Sequence, residues 1–196
     1  LEKKLSNLYF VALAVLFFVV LIVTAFRYYL RSRRLAEESW EDILKRLTRV
    51  DRDNIAIVAL DVLGESDESV LAESGENPVQ HETFPLDPSR IWTLLGGLEG
   101  LEILEHNCHV LVDLASYIQR WHPEALVVAE QLRLNVREIE WHVGRLKGAA
   151  ATGNLQSSFA DYAQRATVTY YLMTKLVLQL YDQVSFPQLA ELQRAL

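Results

Sequence analysis

The segment A-L-V-V-A-E-Q-L-R-L-N-V-R-E-I-E-W-H-V-G-R-L, residues 125–146, sets the fold class. Within it Ala125, Ala129, Leu132, Val136, Ile139, Val143 and Leu146 follow one another at steps of 4, 3, 4, 3, 4 and 3. At 3.6 residues per turn, that spacing holds all seven on one stripe of a helix, a heptad seam that must be covered by other helices. Pro123 is suited to open this helix after a corner at His122. Gly148 and the stretch 149–153 (A-A-A-T-G) are expected to end it.

Two further seams flank it. Downstream, Leu155, Phe159, Tyr162, Ala166, Thr169, Met173, Leu176 and Leu180 again alternate steps of 4 and 3 from a start near Asn154. That helix also carries Tyr170, Tyr171, Leu172, Val177 and Leu178 away from the seam. This second apolar face places it either at the centre of a bundle or against a partner, and these five residues are the candidate partner-binding face. Ser185 and Pro187 then lead into a short last helix. Upstream, Pro88–Trp121 reads as one helix with Asp87 at the N-cap and Pro88 at N1. Its apolar positions are Ile91, Leu94, Leu98 and Leu101, then Leu104, Cys108, Leu111, Ala115 and Ile118. Gly96, Gly97 and Gly100 lie inside it and mark a kink or a close crossing. Their order fits no phosphate loop, since no strand precedes them and no Lys follows. Three long seams joined by short corners predict an antiparallel bundle over 88–196 in an all-α chain.

Residues 51–87 read as an acidic linker: ten acidic residues against the single base Arg52. Within it 54–63 (N-I-A-I-V-A-L-D-V-L) fits strand or helix, with helix preferred because no partner strand is nearby and Asp51 or Asp53 is placed to cap it. From Gly64 to Asp87 the Gly, Ser, Asn and Pro content predicts a long loop, either a solvated linker or a strap for a basic partner. Residues 27–50 are expected to form a juxtamembrane helix with Trp40, Ile43, Leu44, Leu47 and Val50 on one face, available as a fourth bundle member.

After a short flank over 1–7, residues 8–26 (L-Y-F-V-A-L-A-V-L-F-F-V-V-L-I-V-T-A-F) carry no charge. As a helix the run is about 28 Å long, close to the thickness of a bilayer's hydrocarbon core. Leu8, Phe17, Phe18 and Phe26 belong to this expected transmembrane helix. The run is too long for a signal peptide's apolar region, and Phe26-Arg27-Tyr28-Tyr29 offers no small-residue cleavage site. Tyr9, Tyr28 and Tyr29 suit the two interfaces. Arg27, Arg31, Arg33 and Arg34 outnumber Lys3 and Lys4, which points to a single-pass protein with a cytoplasmic C-terminal domain. The chain begins at Leu1, so a few residues are expected to precede it.

The formal net charge is −7. Residues 1–26 contribute +1 (Glu2 against Lys3 and Lys4), leaving −8 for the remainder, so no nucleic-acid partner is expected. Cys108 is the only cysteine, which rules out an intrachain disulfide. Glu102 with His106, Glu105 with His109, and Glu138 with His142 stand at i,i+4. Carboxylate and imidazole on facing helices are the raw material of a bundle metal site, and a histidine is one requirement of a haem pocket. The i,i+3 Glu-x-x-His of di-iron bundles is missing from both helices, so surface pairing is the expected role and no metal or cofactor is assigned. No G-x-S-x-G or G-x-x-x-x-G-K-[ST] occurs, and no catalytic residue is assigned. The expected function is a non-catalytic accessory or scaffold subunit of a larger membrane complex, respiratory, photosynthetic or transport in kind, with the bilayer and the other subunits as partners. The alternatives are a membrane-anchored signalling or adaptor protein acting as a homodimer, and a metal- or haem-binding bundle.

Overall fold

The computed structural model describes residues 13–24, 26, 39–73 and 86–196, and these form two compact units, Leu1–Ser39 and Trp40–Leu196. In the first unit residues 13–24 are helical (α1). Their large apolar side chains are exposed, from 47% at Leu21 to 69% at Leu13. The hydroxyl of Thr24 donates to the carbonyl of Val20 at 2.7 Å, which satisfies α1's polar side chain inside the helix itself. Among the described residues no helix is long and apolar enough to cross a membrane. Of the expected span 8–26, residues 8–12 and 25, hence Leu8 and Tyr9, lie outside the described residues. So do Arg27, Tyr28, Tyr29, Arg31, Arg33 and Arg34.

The second unit is all-helical among its described residues: α2 (Trp40–Lys45), α3 (Arg52–Glu73), α4 (Pro88–Leu95), α5 (Gly97–Ile118), α6 (Ala125–Ala151), α7 (Leu155–Gln183) and α8 (Leu189–Ala195). The expected bundle is α5, α6 and α7, each packed on the other two. Cross-helix pairs fix the α5–α6 register. Arg133 donates to Ser116 Oγ at 3.1 Å, His109 meets Glu140 at 3.2 Å, and Lys147 meets Glu102 at 3.2 Å and Glu105 at 3.3 Å. Residue numbers rise along α6 as they fall along α5, so the two run antiparallel. All seven seam residues of α6 are buried.

Three features differ from expectation. First, the fourth bundle member is α3, not the juxtamembrane helix: α3 packs on α7 and α4, whereas α2 ends at Lys45 and covers α5. Residues 27–38 of the expected helix lie outside the described residues. Second, 64–73, expected as loop, continues α3. Asp51 Oδ1 accepts from the backbone N–H groups of Asp53 and Asn54, both at 3.1 Å. A start capped in this way and packed through Ile55, Val58 and Ala59 nucleates the helix. Adding further residues past the single Gly64 then costs little. Helix α6 ends within the expected stretch 148–153, passing through Gly148 to Ala151. It stops where Gly153 takes φ 76° and the Asn154 N–H closes onto the Ala149 carbonyl at 2.9 Å, a Schellman turn.

Third, Pro88–Trp121 is two helices. Asp87 holds the N-cap position of α4, but its side chain makes no capping hydrogen bond. Gly96 and Gly97 have φ 74° and 67° and break the helix between Leu95 and Leu98. The break lets α4 lie across α7 and α3 while α5 stays in the bundle. It also brings the Leu95 carbonyl against Gly100, where a Cβ would sit 1.6 Å from that oxygen.

One aromatic cluster gathers the ends of several helices. Trp40 packs on Tyr181 and Phe186, ring centroids 5.2 Å from each, and on Tyr117 at 6.0 Å. Phe186 reaches it because α7 also ends in a Schellman turn, with Ser185 at φ 50° and the Phe186 N–H on the Tyr181 carbonyl at 3.0 Å.

The glycines give a two-way test in thermal unfolding. Gly100→Ala is expected to destabilise by at least about 2 kcal/mol, because backbone must move to admit the methyl group. Gly148→Ala, whose Cβ would meet nothing within 4 Å, is expected to stabilise by about 0.5–1 kcal/mol.

Candidate functional site

The five residues of the candidate partner-binding face do not share a surface. Tyr170 and Val177 are core residues, 2% and 0% exposed, which corrects their expected role. The cause is the central position of α7. It is covered by α5, α6, α3, α4 and α8, so its second apolar face meets α3 as its first meets the bundle. Leu172 remains exposed, and Tyr171 and Leu178 are half-buried.

Tyr171 and Leu178 line a cleft of about 250 Å³ between the first turns of α3 and the middle of α7. Val50, Ile55, Ala56 and Leu196 complete its apolar walls, with Tyr170 and Thr174 also lining it. Tyr170's hydroxyl is buried, and burial lifts its pKa to about 12 against the lowering pull of Asn107 and Thr174 beside it, so it stays a neutral phenol. The rim is charged. Lys175 Nζ lies 4.4 Å from the Tyr171 ring centroid, a cation–π contact, and Arg52 and Asp53 stand beside it. Past Arg52 the surface opens into a depression of about 710 Å³ lined by Arg49, Arg52 and Arg194 together with Asp51 and Asp53. Asp51 is the α3 cap, so its carboxylate is already engaged. The cleft therefore has an apolar floor and a mainly cationic rim. It suits an apolar side chain with carboxylates around it. Sequence reasoning found Tyr171 and Leu178, but not Val50, Ile55 or Leu196, which come from segments far apart in the chain.

The histidines are not brought together. His106 Nε2 donates to the Arg46 carbonyl at 3.0 Å, tying down the loop after α2. Next to it, buried Asn107 clamps Thr48 through both ends of its amide: Nδ2 donates to the Thr48 carbonyl at 2.7 Å and Oδ1 accepts from its N–H at 2.9 Å. His109 faces Glu140 on α6, and Glu102 is held by Lys147. His142 is buried between Trp141 and Tyr162, ring centroids 5.0 and 5.7 Å away. Its Nδ1 has no partner, and its Nε2 lies 3.8 Å from Glu138. Among the described residues no group of three His, Cys, Asp or Glu side chains is arranged to hold a metal ion. Cys108 is fully buried, and burial, with Glu105 and Glu140 adding to it, holds its thiol far above the usual range. It is a packing residue rather than a nucleophile.

Comparison with family models, with curated proteins and with solved structures returns no match to this chain.

Burial lowers the His142 pKa, outweighing the opposing pull of Glu138. The unfolded chain then binds a proton that the folded chain resists, so stability rises with pH across this window. It is lost as pH falls below the free-imidazole value of about 6.5 and through the depressed folded-state value. Chemical denaturation at pH 7.5 and pH 5 is expected to show a smaller acid loss for His142→Gln than for the parent chain. Equal losses would place the acid sensitivity elsewhere.

Proposed function

We propose that the chain is a non-catalytic accessory or scaffold subunit of a larger membrane assembly, respiratory, photosynthetic or transport in kind. Residues 8–26 are its single span, and the helical unit works on the cytoplasmic side. The observation that carries this reading is the exposure of the large apolar side chains over 13–24. Burying such side chains is worth roughly 1.5–3 kcal/mol each, and the uncharged run 8–26 has the length to place them in lipid. The internal Thr24 hydrogen bond supports it, because an unsatisfied hydroxyl is costly in hydrocarbon. The basic flank Arg27, Arg31, Arg33 and Arg34 supports the orientation. No prosthetic group is needed for such a role.

The partner surface in this reading is the α3–α7 cleft. It accepts an apolar side chain of a neighbouring subunit through Tyr171 and Leu178, with Lys175, Arg52, Arg49 and Arg194 facing that neighbour's carboxylates. Charges on the rim steer such an encounter, while the apolar anchor supplies the affinity.

Two measurements test the proposal. Native purification of the full chain in mild detergent is expected to recover it from membranes with other subunits at fixed stoichiometry. Recovery from the soluble fraction, with the first thirty residues intact, would end the membrane reading. In the same purification, Tyr171→Glu with Leu178→Glu is expected to cut partner recovery at least tenfold while the circular dichroism stays helical. Val177→Glu instead puts a charge into the core, and is expected to cost at least about 4 kcal/mol and unfold the unit. Full partner retention by the Tyr171/Leu178 double variant would remove the cleft from the interface.

A further inference from the structure

The buried seam of α6 has a counterpart on its opposite face. Val127, Leu134 and Trp141 are spaced by seven and are 74%, 58% and 56% exposed. They form an apolar line about 21 Å long, at 1.5 Å per residue. Helix α6 packs on α5 and α7 through its other side, so Val127 and Leu134 point away from the bundle, while Trp141, still more than half exposed, leans over Tyr162 of α7 with ring centroids 5.7 Å apart. Charges border it in an ordered way. At 100° per residue, Glu130 and Arg137 fall on one side, and Glu124, Gln131, Glu138 and Arg145 on the other.

We propose that this face is a homodimer interface, in which α6 packs antiparallel on α6 of a second copy with Leu134 at the two-fold axis. The charge order supports that occupant and that direction. Under an antiparallel two-fold axis each side of the line meets the same side of the copy, read backwards. Glu130 then comes level, within one residue's rise, with Arg137 of the second copy, and Glu124 with Arg145. Each pairing occurs twice. Glu138 meets Gln131, so no like charges are opposed. The apolar layers match in size as well: Trp141 covers Val127 of the second copy, and Leu134 meets itself. A parallel pair would stack Trp141 on Trp141 and leave the Val127 layer thin. The rearrangement is small. Glu130 now pairs with Arg133 and Glu124 with His122, while Arg145 lies over the Trp141 ring at 5.8 Å. Exposed pairs of this kind are held weakly. Three layers make a modest interface of the transient class, and shared attachment to a membrane would raise the effective concentration of the two copies. This proposal stands on α6 alone and does not depend on the α3–α7 cleft or on any other subunit.

Cross-linking of the full chain in detergent through one introduced cysteine tests it, with an oxidant such as copper–phenanthroline. The native Cys108 is 0% exposed and serves as a silent background. Leu134→Cys is expected to give a disulfide-linked dimer. Val127→Cys and Trp141→Cys are each expected to stay monomeric alone but to cross-link when mixed. Dimer from Val127→Cys alone would mean a parallel pair and overturn the proposal, and so would the absence of dimer from Leu134→Cys. A charge swap separates the interface from a folding defect. Glu130→Arg is expected to reduce the Leu134→Cys dimer at least fivefold, and adding Arg137→Glu to restore it. Failure of the second change to rescue the first would also overturn the proposal. Because the readout needs no other subunit, these outcomes are independent of whether a larger assembly is found.

Discussion

The helical unit is built around the burial of α7. Helices α3, α4, α5, α6 and α8 all pack on it, and the sequence of α7 reflects it. Phe159, Ala163, Ala166, Tyr170, Met173, Val177, Leu180 and Tyr181 are all buried, although they occupy more than one face. A helix placed this way must also settle its polar atoms without water. Thr167 does so by donating to the Ala163 carbonyl at 2.7 Å, and Tyr181 by donating to the Leu114 carbonyl at 2.9 Å. The short helices and corners of the unit are arranged so that α7 stays covered: α4 swings over it at the Gly96 break, and α8 folds back onto it past Ser185.

The amino-terminal edge of the unit is held by aromatic packing and hydrogen bonds. Trp40 sits among Tyr117, Tyr181 and Phe186, and the loop after α2 is held by Asn107 and His106. An amide that satisfies both backbone groups of Thr48 leaves that loop little freedom, because any shift would break two hydrogen bonds in a buried site. His106, His109 and His142 are likewise engaged in separate structural contacts.

The surface carries what the core could not absorb. Val127, Leu134 and Trp141 on α6 are too large and too regularly spaced to be scattered exposure. Their order is the same heptad rule that builds the interior, repeated on the outside. The cleft at the α3–α7 seam is different in kind: a hollow formed where three distant segments meet, apolar below and cationic at the rim.

The heptad of α6 was fully legible from sequence, because a seam covered by two neighbours needs only one stripe, and periodicity reports one stripe directly. The helical class, the starts of α4 and α7, and the burial of Cys108 were legible for similar local reasons. Periodicity could not separate the two faces of α7. An apolar side chain looks the same in sequence whether α3 or a partner covers it, so Tyr170 and Val177 were assigned outward and belong inside. Nor could it extend α3 past Gly64, since the gain that offsets that glycine comes from a capped, packed start rather than from the residues beyond it. The exposed line on α6 was present in the sequence and is visible only once the opposite stripe is known to be buried. Local patterning fixed which residues are helical and which stripes are apolar. Only the packing of helix on helix decided which stripes were covered, because burial depends on neighbours that are distant in the chain.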